Sequence, residues 1–143
     1  MATQGLKLVS GPQEVREYTS AATGTYAAGD VVGLTSGACV IGADNLCMGV
    51  ALEAALTSGT THIIVIYPEQ VWSVEYVGTT AASMCGEDYL MTFTTGSQCL
   101  SATTTTPTMT VLKLDPRDGA LATGRVHAHF NAHNCQALGL ATA

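Results

Sequence analysis

The residues of this chain best suited to chemistry lie near its carboxyl end: His127, His129, His133 and Cys135. All four have odd numbers, so in a straight strand they share one face, and imidazole and thiolate are ligands that zinc and other transition metals favour. β-Barrels that hold a metal through a His-x-His pair complete the set with a Glu a few residues on. Here Asn131 and Asn134 occupy that stretch. The four therefore read as strand or interface residues, and a metal-dependent barrel enzyme built on His127, His129 and His133 is the lesser alternative. Histidines in an interface titrate at about pH 6 and would loosen an assembly on acidification.

No other cluster points to catalysis. Glu87-Asp88 and the pair Glu69 and Glu75 could in principle serve as acid and base, but adjacent carboxylates at turns are ordinarily solvated. Gly-x-Ser-x-Gly, His-Glu-x-x-His and phosphate-loop patterns are absent. A Ser or Cys nucleophile with a His base is assembled in space and leaves no spacing to read. The sequence assigns no catalytic residue and no cofactor.

The elements that must position these side chains are strands. The chain has 143 residues, the size of one domain. Thr, Val, Gly and Ser recur, apolar runs are short, and turn residues punctuate them about every ten positions, as in a sandwich or barrel. Strands are predicted over 30–34, 38–42, 47–53, 60–67, 70–77, 89–93, 98–102, 108–114 and 120–130. Thr61 to Tyr67 is apolar on both parities and should be central and buried on both faces. In Val71 to Tyr76, Trp72, Val74 and Tyr76 share one face, which makes Trp72, the only Trp, the core anchor. Asp115-Pro116-Arg117-Asp118-Gly119 reads as a hairpin turn. Thr103 to Thr108 ends at Pro107 and reads as a loop or edge strand.

Two features organise the chain above the strand level. Ala55 to His62 aligns with Ala120 to His127, and Asp30 to Val40 with Asp88 to Leu100, so the body, residues 27–143, divides into two similar hairpin lobes, 27–77 and 85–135. Residues 1–26 have no sustained period and read as an extended N-terminal arm. The expected fold is an all-β single-domain sandwich or barrel with that arm.

Charge narrows the partners. Hydrophobic residues make up 47% of the chain and charged ones 11%, with a net charge of −6, which excludes disorder and leaves a surface suited to being covered by other subunits. No Lys or Arg falls between Arg16 and Lys113, so direct nucleic-acid binding through the body is not expected. An acidic partner would be met at Lys7 and Arg16 or at Lys113, Arg117 and Arg125. No stretch is apolar enough to span a membrane. The start has no apolar leader, and five cysteines without paired spacing suit thiols made in a reducing cytoplasm, packed as small hydrophobes.

The segments Ala28 to Gly37, Cys47 to Glu53, Leu56 to Thr60 and His62 to Tyr67 resemble the small capsid decoration, or cement, proteins of tailed bacteriophages, the lambda-type head-decoration proteins among them. The resemblance covers about residues 28–77. It implies a homotrimer on the outer surface of an icosahedral capsid, in contact with the major capsid protein, stabilising the shell and having no enzymatic activity. It also implies that the arm lies along a capsid subunit, with Leu6, Lys7, Leu8, Val9, Val15, Arg16 and Tyr18 as its contacts. The alternative is another virion or surface β module, such as a tail, fibre or carbohydrate-binding domain.

Overall fold

The computed structural model describes residues 5–21, 26–43, 46–55, 59–115 and 124–138. The fold is all-β, as expected, with regular helix among these residues limited to three single 3-10 turns, Ala82–Met84, Ala132–Asn134 and Gln136–Leu138. The strands are β1 (Lys7–Ser10), β2 (Val15–Ser20), β3 (Val31–Thr35), β4 (Ala38–Ile41), β5 (Gly49–Ala51), β6 (Thr60–Val65), β7 (Val71–Glu75), β8 (Asp88–Tyr89), β9 (Met91–Thr92), β10 (Cys99–Leu100), β11 (Met109–Leu114) and β12 (Arg125–Phe130). They form a closed barrel, β2-β4-β3-β5-β6, a five-stranded sheet, β1-β7-β12-β11-β8, and a β9-β10 ribbon.

Alternation along the barrel strands explains how the two main bodies stack. In β3, β5 and β6 one parity, Val32, Ala51, Ile63 and Val65, points into the barrel and joins Tyr26, Cys39 and Met48. The other parity, Val31, Val50 and Ile64, points outward into a second cluster with Leu6, Cys47, Trp72, Val74, Met109, Val126, Ala128, Phe130 and Cys135. Where β3, β5 and the end of β6 form it, the barrel wall is thus apolar on both faces because the sheet covers its outside. Trp72 and Phe130 meet edge to face, ring centroids 6.4 Å apart and planes at 81°, at the centre of this layer. The Trp72 indole donates to Gln70 Oε1 at 3.1 Å, so no polar atom of the ring is stranded.

Close approach of backbones requires two glycines. A Cβ on Gly33 would sit 2.5 Å from the Leu46 carbonyl oxygen, and one on Gly49 would sit 2.7 Å from that of Ile64.

Residues 5–21 of the expected arm contain two strands and are not separate from the core. β1 pairs with β7, Lys7 opposite Ser73 and Leu8 opposite Trp72. β2 pairs with β6 along its length and with β4 in parallel at Thr19 and Ser20, which closes the barrel. The absence of a period misleads here because Val15 to Glu17 and Thr19 are all exposed, so β2 carries no apolar alternation to read.

The division between the two bodies also differs from the 27–77 and 85–135 lobes. β7, assigned to the first lobe, crosses to the sheet and pairs with β1 and β12. The β3-β4 and β9-β10 hairpins occupy the aligned positions of the repeat, but one belongs to the barrel and the other to the separate ribbon. Residues 103–108 form a loop, and β11 and β12 pair antiparallel on either side of the expected turn. Pro116 to Gly119 of that turn lie outside the described residues, as does Arg117 with them.

Candidate functional site

Along β12, Val126, Ala128 and Phe130 enter the apolar layer, so Arg125, His127 and His129 take the opposite face of the strand, where the first two are buried as well. The register carries its outward residues into rows across the sheet. Lys7, Ser73, His127 and Lys113 stand side by side on β1, β7, β12 and β11. Glu75 lies beside Arg125 in one direction, and Asp88, Thr110 and His129 form a row in the other. Cations from opposite ends of the sequence therefore share the face of the sheet turned away from the barrel. Lys7 and Lys113 are exposed at the flanks, while Ser73, Arg125, His127 and Asp115 are buried between them.

The buried centre is a bonded network. Arg125 Nε donates to Ser73 Oγ at 2.8 Å, and Nη2 donates to the carbonyls of Gly5 at 2.6 Å and Ser73 at 2.7 Å. Nη1 lies 3.8 Å from Glu75 Oε1. Ser73 Oγ in turn donates to Asp115 Oδ2 at 3.2 Å, and His127 Nε2 lies 3.6 Å from the same oxygen. Ser, His and Asp are thus adjacent, but the hydroxyl is bonded to the carboxylate and not to the imidazole. A serine nucleophile needs the reverse arrangement, with its proton directed at the histidine. The network instead holds the start of β1 to β7 and β12, since Arg125 binds the backbone of both.

The histidine row does not extend to His133. β12 ends at Phe130, and the chain turns through Ala132–Asn134, so His133 projects exposed beside Asn134, whose Nδ2 is 3.1 Å from His133 Nε2. Cys135 enters the apolar layer. His129 Nδ1 lies 3.3 Å from the Phe130 carbonyl. Among the described residues no three His, Cys, Asp or Glu side chains converge as metal ligands.

The expected arm contacts divide. Leu6 is 5% exposed within the chain's own core, Leu8 packs against that core, and Tyr18 packs against the barrel cluster. Leu6 is thus spent inside the chain, whereas Leu8 and Tyr18 are half-buried and keep part of their surface exposed. Lys7, Val9, Val15 and Arg16 remain exposed. Arg16 is paired with Glu14, whose carboxyl is held below its ordinary range first by a hydrogen bond from the Tyr67 hydroxyl and then by Arg16. Lys7 and Lys113 stand in no ion pair among the described residues.

A second ionic group lies on the barrel wall, where sequence reasoning placed only structural residues. His62 Nδ1 is 2.7 Å from Glu53 Oε1 and Nε2 is 3.4 Å from Glu17 Oε2. Glu17 is directly opposite His62 in the β2-β6 register, so the strand pairing creates half of the group. The bond to Glu53 raises the pKa of His62 above its ordinary 6.5, and the same bond lowers that of Glu53.

No protein-family model matches the chain, and no curated protein matches it significantly.

Proposed function

We propose that the chain is a structural virion protein that docks as a homotrimer on the outer surface of an icosahedral phage capsid and stabilises the shell. The observation that carries the reading is the placement of Lys7 and Lys113 on one sheet face, exposed and outside any ion pair among the described residues, in a chain whose net charge is −6. An acidic, repetitive partner surface would engage that face, and modest contacts repeated over a shell add up through avidity. The resemblance of residues 28–77 to capsid decoration proteins supports the same reading.

Two measurements test it. Size-exclusion chromatography with light scattering at micromolar concentration is expected to give three times the 14.7 kDa chain mass, and a stable monomer would overturn the trimer. Co-sedimentation with undecorated phage heads is expected to retain the protein at low salt. Binding that is unchanged in the Lys7→Glu, Lys113→Glu double variant would remove the proposed docking face.

A further inference from the structure

The carboxyl-terminal segment after β12 crosses from the sheet to the barrel, and it is fastened at that crossing by side chains that bond backbone. Asn134 Nδ2 donates to the Pro107 carbonyl at 3.1 Å. Gln136 pairs with both backbone groups of Leu34, accepting from its N–H at 2.9 Å and donating to its carbonyl at 2.8 Å. Between these two residues Cys135 forms a parallel β-bridge with Cys47, the residue leading into β5. The bridge is bonded on both sides, Cys47 N–H to the Asn134 carbonyl at 3.2 Å and Gln136 N–H to the Cys47 carbonyl at 3.1 Å.

Directly bridged residues have Cα atoms about 4.8 Å apart, the spacing of neighbouring strands. A disulfide spans Cα separations of about 4.4–6.8 Å. Both side chains enter the same apolar cluster, so their Cβ atoms lie on one side of the bridge, and both residues are fully buried. The other cysteines are placed differently. Cys39 lies inside the barrel, Cys85 is exposed after the 3-10 turn at 82–84, and Cys99 is on β10 beside Thr92.

We propose that Cys47 and Cys135 are an oxidisable pair, dithiol in a reducing compartment and joined by a disulfide after exposure to a low-molecular-weight disulfide oxidant. One thiolate attacks the oxidant, forming a mixed disulfide and releasing one small thiolate. The second thiolate attacks the protein sulfur of that intermediate and releases the other. Two protein protons and two electrons thereby end on two small-molecule thiols. The product ties the end of the chain to the barrel and closes a loop of about 90 residues, the kind of link that most restricts an unfolded chain.

Access sets the rate. Burial pushes the Cys135 thiol up to about 12, so little thiolate exists at neutral pH in the folded protein. Oxidation should be slow on the folded chain and fast during refolding.

The test refolds the full chain from denaturant in a buffer of reduced and oxidised glutathione, traps remaining thiols by alkylation and maps the linked peptides. Cys47 joined to Cys135 in a soluble species, with a higher denaturation midpoint than the reduced protein, is expected. The same link should form in Cys85→Ser and in Cys39→Ala, which keep the pair. Cys47 and Cys135 that stay open to alkylation after refolding, or a product joined through other cysteines, would overturn the proposal. The outcome does not depend on shell binding, so either idea can fail alone.

Discussion

Arg125 is the residue on which the sheet most depends. It is 7% exposed, and its donors reach the backbone of β1's approach and of β7 as well as the Ser73 hydroxyl. A buried cation without its partners is costly, and removing the cation leaves those partners desolvated in turn. Arg125→Ala is expected to destabilise by about 3–5 kcal/mol in urea denaturation. The His62 group acts at the surface and differently. Because His62 titrates above its ordinary 6.5 when folded, its stabilising contribution is fully present below 6.5 and is lost as pH rises through the raised value. Glu53 has the opposite sign: its contribution is present above the ordinary 4.5 and is lost as pH falls through the lowered value. The pair is therefore fully formed between about pH 4.5 and 6.5. Glu53→Gln should move the His62 midpoint down toward 6.5 in an NMR titration. An unchanged midpoint would show that the bond to Glu53 does not form in solution.

At the scale of elements, the amino-terminal strands close what the rest of the chain leaves open. Without β2, strands β4 and β6 would each present an unpaired edge, an arrangement that promotes aggregation. Leu6 lies one residue before β1 and fills the layer between sheet and barrel. Leu6→Ala is expected to cost about 2–4 kcal/mol by denaturant unfolding, whereas a free arm would tolerate the change without loss. Two glutamines from later in the chain clamp β3. Gln98 pairs with Val31 and Gln136 with Leu34, each side-chain amide meeting one backbone N–H and one carbonyl. Gln136→Ala leaves both groups of Leu34 without that partner and is expected to lower stability by about 1–3 kcal/mol. Limited proteolysis of this variant should cut the carboxyl end first.

At the scale of the molecule, a barrel and a sheet share one apolar layer, and the sheet's far face collects cations that the sequence holds apart. Lys7 and Lys113 are separated by most of the chain yet flank one row. Exposed charges of this kind govern encounter more than the final complex, and salt screens them. Binding of the wild-type protein to an acidic shell should weaken as salt is raised. The Lys7→Glu, Lys113→Glu variant should bind at least about tenfold more weakly, a change of ~1.4 kcal/mol, with its folding unaltered.

Strand identity was legible in the sequence because it depends on local alternation. Trp72, Val74 and Tyr76 on one parity, and an apolar run at Ile63 to Ile66 on both, carry their burial in their spacing. Where partners are distant the sequence is silent. Nothing local marks Val15 to Ser20 as the strand that closes a barrel, because its partners β4 and β6 lie downstream and its outward residues face solvent. The repeat likewise captured hairpins but not the crossing of β7, since the pairing of a strand is decided by which free edge its apolar face can cover. The candidate site belongs to this second kind. Arg125, His127 and Asp115 were visible as residue types, but their convergence on Ser73 and Gly5 follows from the register of β1, β7 and β12. By itself the sequence determined an all-β chain poor in charge. Tertiary structure decided which side chains meet, because cross-strand neighbours are set by register and packing, which act between residues far apart in the chain.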